Sequence, residues 1–192
     1  MSRRSVPFAC GEYYHIYNRG AGRREIFFEE VNYRYILRQA YKYSRKFQLS
    51  IIAYCLLPNH YHYLIRQDGE IPLSKFPQSV FGGYSRALHY RYDKSGTLFE
   101  GRYQAKHVST DRYLLQLCCY IHANPVLAGL VPHAEDWPYS DFIEWLRWRR
   151  MEVLGDKKRR EILGGFISYR EVFDSYLQAS MLPDELSYLE DY

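Results

Sequence analysis

Two runs of strand-forming residues, Leu49–Leu57 and His60–Arg66, stand back to back with only Pro58-Asn59 between them. This pair constrains the fold more than any other stretch. Proline fixes φ and asparagine suits tight turns, so the two runs read as a β-hairpin. Leu49-Ser50-Ile51-Ile52-Ala53-Tyr54-Cys55-Leu56-Leu57 is almost continuously apolar, as a buried strand is. In the returning strand alternate side chains share a face, so His60 and His62 look one way and Tyr61 the other. Two imidazoles on one rigid face can share one cation.

The flanking sequence supplies the rest of a small sheet. Glu12-Tyr13-Tyr14-His15-Ile16-Tyr17-Asn18-Arg19 alternates and stops at Gly20, which marks a first strand. From Glu29 to Lys46, Val31, Tyr35, Ile36, Leu37, Ala40 and Tyr41 recur near helical spacing. A second helix is expected from about Leu73 to Arg91, weakened by Pro77 and Gly82-Gly83, and a fourth strand over residues 103–109. Ser109-Thr110-Asp111 offers N-caps for a further helix. Pro125 disfavours helical geometry at Asn124, so that helix is expected to end there. The order β-α-β-β-α-β-α predicts an α+β, ferredoxin-like antiparallel sheet with helices on one face.

Residues 1–145 then form one domain, and 146–192 an accessory helical tail. The tail region holds the charge run Lys157-Lys158-Arg159-Arg160, read as a solvated helix face, while Asp141–Arg150 is read as an aromatic, basic helix. No internal repeat or low-complexity tract interrupts this plan. A chain of 192 residues suffices for one well-buried core and is short for two.

Charge argues about partners. The net charge is only +4, but Arg19, Arg23 and Arg24 cluster, as do Arg86, Arg91, Lys94, Arg102 and Lys106. Such patches fit a polyanion groove better than a uniformly basic surface does. Many of the 21 tyrosines sit beside cations, as in Tyr33-Arg34-Tyr35 and Tyr90-Arg91-Tyr92; aromatic faces of this kind stack unpaired bases, or simply pack. Cys10, Cys55, Cys118 and Cys119 show no CxxC spacing, so reduced, buried thiols in a cytoplasmic protein are expected. No signal-peptide core or membrane-length apolar run is present in the sequence.

Tyr120 and Asn124 are four residues apart, and on a helix that separation places them on one face about 6 Å apart. If this helix lies over the face bearing His60 and His62, the Asn124 carboxamide can complete a metal shell and bring the Tyr120 hydroxyl beside it. A phenol with a pKa near 10 is ionised in only about one molecule in a thousand at neutral pH. A cation that polarises a phosphate would supply the missing help.

Four blocks then carry a resemblance: His15-Ile16-Tyr17-Asn18-Arg19-Gly20; Ala53 through Pro58-Asn59-His60-Tyr61-His62; Gly96-Thr97-Leu98-Phe99-Glu100-Gly101-Arg102; and Tyr120-Ile121-His122-Ala123-Asn124-Pro125-Val126. Together, in this order, the chain resembles the REP-associated tyrosine transposases. These are single-tyrosine members of the HUH transposases, named for two histidines around a hydrophobic residue. The resemblance implies metal-dependent nicking and joining of single-stranded DNA at hairpin-bearing sites through a covalent 5′-phosphotyrosine. It carries over His60 and His62 as metal ligands, Tyr120 as nucleophile and Asn124 as the metal-assisting residue. It favours Mg²⁺ or Mn²⁺, although two imidazoles and an amide oxygen would also take Zn²⁺. Joining two ends would be served by a homodimer. Many relatives carry glutamate where this chain has His122, which is expected to point off the catalytic face and change surface chemistry only.

Other readings stay open on sequence alone. Tyr84 is the rival nucleophile. Arg19, Arg102 and Lys106 are candidate phosphate contacts. His15, His89 and His107 have no assigned role. A binder of structured single-stranded DNA that does not cleave, and a structural zinc site using His60, His62 and a cysteine such as Cys55, are the alternatives of a different class.

Overall fold

The computed structural model describes residues 7–93, 95–146, 162, 168–179 and 184–189. Four strands, β1 (Tyr13–Arg19), β2 (Leu49–Leu57), β3 (His60–Gln67) and β4 (Gln104–Val108), form one antiparallel sheet in the order β2-β3-β1-β4. Helices α1 (Glu30–Lys46) and α2 (Lys75–Tyr92) cross between them, and α3 (Asp111–Leu127) follows. This is the α+β, ferredoxin-like arrangement expected from the sequence.

Local chemistry explains the element ends. Glu29 and Asn32 close a capping box at the start of α1. Thr110 is the residue that caps α3, its hydroxyl accepting from the Tyr113 amide at 3.2 Å. Pro77 is tolerated because it lies in the first turn of α2, where backbone N–H groups lack helical partners anyway. Pro125 does not end α3 at Asn124: the helix runs to Leu127, and Gly129 at φ +66° turns the chain out of it. The Asn124 side chain donates back to the Tyr120 carbonyl at 2.7 Å, within the turn that Pro125 leaves one N–H short.

The pleat divides the strands between two cores. Tyr14, Ile16, Tyr61, Tyr63 and Ile65 face α1 and α2, meeting Ile36, Ala40, Phe76, Val80 and Phe81. Tyr17, Ala53, Cys55, Leu57 and Leu64 face α3, meeting Leu114, Leu117, Cys118 and Ile121. Thus α1 and α2 hold the single face expected of the helices, whereas α3 covers the other one. β2, though first in the sheet order, contributes Leu49 and Leu56 to one core and Ile52, Ala53, Cys55 and Leu57 to the other, which is why it reads as a continuous hydrophobic run. A register shift between Ile51 and Ala53 sets Cys55 opposite His62.

The last described segments join the α3 side. Helix α4 (Phe142–Leu146), helix α5 (Tyr169–Gln178) and a 3₁₀ turn at Asp184–Leu189 bury Phe142, Trp145, Tyr169, Phe173, Leu186 and Leu189 in the same core. Residues 137–145 also line the outer edge of β2. Leu56 N–H donates to Tyr139 at 2.9 Å, Tyr54 N–H to the Asp141 carboxylate at 2.7 Å, and the Trp137 and Trp145 indoles donate to Leu56 and Ile52 carbonyls at 2.9 and 3.0 Å. Among the described residues nothing extends the sheet beyond β4. The Lys157–Arg160 run, Lys94 and the expected 141–150 helix past Leu146 lie outside the described residues.

Candidate active site

The β2–β3 turn is clamped from beneath by the loop after β1. Ile26 and Phe27 N–H groups donate to the Pro58 carbonyl at 2.7 and 3.0 Å, and Gly20 N–H donates to that of Asn59 at 2.7 Å. A Cβ on Gly20 would lie 1.9 Å from the Arg24 carbonyl oxygen, so only glycine lets this loop close against β3. The Asn59 side chain donates to the Arg23 carbonyl at 3.3 Å, which aims its oxygen at His60 Nδ1, 2.7 Å away. His60 therefore carries its proton on Nδ1 and its lone pair on Nε2.

That lone pair faces the Asn124 Oδ1, 3.3 Å away. The Asn124 amide orientation is set by its bond to the Tyr120 carbonyl, so two acceptors confront each other across this gap. Burial lowers the His60 pKa to about 4, so no second proton bridges them at neutral pH. A divalent cation would: neighbouring donors on one octahedral ion with bonds of about 2.1 Å lie roughly 3 Å apart. The donor set of this structure fits such an ion, with His60 Nε2, Asn124 Oδ1 and an imidazole nitrogen of His62 to hold it.

His62 lies with its ring centre 5.1 Å from that of His60 and 5.4 Å from that of Tyr120, edge to face in both cases. Burial, then the neighbouring His60 and His15, push its pKa well down and keep it neutral. Tyr120 is 6% exposed. Its phenol is pushed up to about 12 by burial, against a hydrogen bond with the Asn124 side chain that pulls it down. The structure thus brings together the four residues singled out in the sequence, His60, His62, Tyr120 and Asn124. Tyr84 is on the far side of the sheet, where its hydroxyl donates to the Ile26 carbonyl.

The basic candidates separate. Arg19 pairs in register with His60 on β1, its guanidinium held by the Glu100 carboxylate. With Asn18, Gly101, Arg102 and Gln104 these two line a cleft of about 240 Å³. Lys106 lies off that cleft, in register with His15 on the neighbouring strand, its Nζ 5.0 Å from the centre of the Tyr188 ring.

Three features were not legible beforehand. His15 is fully buried and touches His62. His122 does not alter surface chemistry: it is buried, bonded to Asp141 at 3.0 Å and to the Tyr169 hydroxyl at 2.6 Å, and so ties α5 and the β2 edge to α3. Cys10 is exposed, whereas the other three cysteines are buried free thiols. Cys55 faces His62 across the strands, but among the described residues no three of His, Cys, Asp and Glu converge as a metal cluster. No described helix is long and apolar enough to cross a membrane.

This arrangement of sheet, paired histidines and helical tyrosine belongs with a known class. The model of the IS200-like transposases matches residues 10–124, and the chain belongs to that family. A Haemophilus influenzae protein carrying the name REP-associated tyrosine transposase is 27% identical over 121 residues, covering 55% of this chain and 66% of that relative's length. A solved REP-associated tyrosine transposase, described as bound to a REP hairpin, shares the fold with a TM-score of 0.65 at 19% identity, over 77% of this chain and 86% of its own.

Proposed function

We propose that this chain nicks single-stranded DNA next to a hairpin and transfers the broken strand, with Tyr120 as nucleophile. The observation that carries the reading is the confrontation of His60 Nε2 and Asn124 Oδ1 beside His62 and the Tyr120 phenol. Family membership and the hairpin named for the solved relative point to the substrate class.

In the chemical step the Tyr120 oxygen bonds to the scissile phosphorus as the bond from phosphorus to the 3′ oxygen breaks. The phenol gives up its proton, and the 3′ oxygen takes one up to leave as a hydroxyl. Attack of a 3′-hydroxyl on the resulting 5′-phosphotyrosine reverses these changes, so the bond energy is kept for rejoining. A phenol with a pKa of about 12 is ionised in only about one molecule in 10⁵ at pH 7. His60, His62 and Asn124 would hold a Mg²⁺ or Mn²⁺ ion, which would supply stabilisation of the charge that develops in this step. Asn124 positions the phenol from the same helix, and Asn59 holds His60 in the tautomer that presents Nε2. Arg19 and Arg102 border the cleft beside His60, where they can meet phosphates.

Incubation with a hairpin-bearing single strand and Mn²⁺ is expected to give a covalent protein–DNA adduct that survives denaturation. Tyr120→Phe should abolish it and Tyr84→Phe should not; the reverse result overturns the assignment. A second reading, a hairpin binder that does not cleave, draws on the burial of Tyr120. It is favoured if the wild-type chain retains the hairpin but forms no adduct with any divalent ion.

A further inference from the structure

Strand β1 brings to the site a side chain for which the chemistry above has no use. His15 is fully buried on the α3 face. Its Nε2 lies 3.0 Å from His62 Nδ1, and its own Nδ1 lies 2.7 Å from the Tyr188 hydroxyl. That hydroxyl is in turn 3.0 Å from the hydroxyl of Tyr113. The two imidazoles are near parallel, 19° apart, and the Tyr17 ring stacks on His15 with centres 4.6 Å apart.

A neutral imidazole has one N–H and one lone pair, so a chain of such groups has a sense of direction. In one sense His62 Nδ1–H donates to His15 Nε2, and His15 Nδ1–H donates to the Tyr188 oxygen; His62 then offers its Nε2 lone pair. In the other sense Tyr188 O–H donates to His15, His15 Nε2–H donates to His62, and His62 Nε2 carries a proton and cannot bind a metal. His60 meets the same requirement through Asn59, whose oxygen accepts from Nδ1. Histidine ligands generally need such a partner on the second nitrogen, and it sets both tautomer and ring orientation.

We propose that His15, backed by Tyr188, is a positioning residue that holds His62 in the Nδ1–H tautomer and so presents Nε2 to a divalent cation. The proposal rests on the reading of His60, His62 and Asn124 as the ligand set. It makes a residue near the start of the chain and one near residue 190 joint determinants of metal affinity, although neither touches the ion.

The test uses the full chain without DNA and Mn²⁺ as probe, with affinity from calorimetry or electron paramagnetic resonance. Long-range ¹H–¹⁵N NMR of the metal-free protein reads the imidazole tautomers. Wild-type His62 is expected as the Nδ1–H form. His15→Leu should weaken Mn²⁺ binding by about 10- to 100-fold and lose that tautomer. His15→Gln, which can place an acceptor oxygen where Nε2 was, should restore most of the affinity. Tyr188→Phe should weaken binding in the same direction by less. Wild-type affinity in both His15→Leu and Tyr188→Phe, or an Nε2–H tautomer in the wild type, overturns the proposal. His60→Ala and His62→Ala separate the two levels. If they bind Mn²⁺ like the wild type, the ligand set itself is wrong; if they lose binding while the His15 and Tyr188 variants keep it, only the positioning role falls. Should His15→Leu fail to fold, Tyr188→Phe and the wild-type tautomer still decide.

Discussion

The face of the sheet under α1 and α2 and the face under α3 use alternate residues of the same strands, yet they bury different chemistry. Under α1 and α2 the centre is Tyr61, Tyr63, Ile65, Phe76, Val80 and Phe81, with Tyr61 and Phe81 stacked at 3.7 Å. On or beside the α3 face His15, His62, His122, Asn124 and Asp141 are all buried. Withdrawing such groups from water costs several kcal/mol unless each finds a partner, and they occur in linked sets: Asn59–His60, Asn124–Tyr120, His62–His15–Tyr188 and Asp141–His122–Tyr169. The first face is packed mainly by aromatic and aliphatic side chains, and the second gives part of its interior to linked polar groups.

Substitutions can break this contrast. The largest expected effect is on chemistry: Tyr120→Phe should drop adduct formation below detection while the urea unfolding midpoint barely moves. On the apolar face, Phe76→Ala should cost about 3–5 kcal/mol of stability by leaving a cavity, with Mn²⁺ affinity of the folded protein unchanged; a loss of affinity would show that the faces are not separable. Asp141→Ala should cost about 3 kcal/mol, because it strands His122 and the Tyr54 N–H in the interior. Denaturant titration checks both.

Acid provides a gentler probe of the polar face. Burial holds His15 down to about 3 and His60 to about 4, against 6.5 for a free imidazole. The unfolded chain therefore binds these protons first. Stability of the metal-free protein should be at its plateau above about pH 6.5 and fall as pH drops towards 4 and then 3, by up to about 1.4 kcal/mol per pH unit for each group. His15→Gln should remove its share of that slope. The smallest effect is at the rim of the cleft: Arg102→Ala should leave stability unchanged and lower the dependence of hairpin affinity on log salt concentration by about one.

The sequence carried the order of elements because each run was strongly periodic and its ends bore recognisable caps and turns, as at Pro58-Asn59 and Thr110. His60 with His62, and Tyr120 with Asn124, were legible as pairs because each sits within one element, at strand or helix spacing; that the two pairs meet was implied by the family resemblance. His15 was missed although the topology held a clue: once β1 is set next to β3, the strand period puts His15 on the face of His62. Its contact with Tyr188 spans 173 residues and left no local signal. The placing of α3 over the opposite face, and the burial of His122, depend on where a distant helix and Asp141 come to rest, which periodicity alone does not say.

The unequal margins of the sheet have a geometric consequence. Residues 137–145 meet the outer backbone of β2 at Ile52, Tyr54 and Leu56, while among the described residues no strand pairs with the outer edge of β4. Among the described residues, lateral growth is thus hindered on the β2 flank. Were two copies to meet along β4, the covered β2 flank of each would face outward, and such an assembly would terminate itself at a pair instead of running on as a fibre.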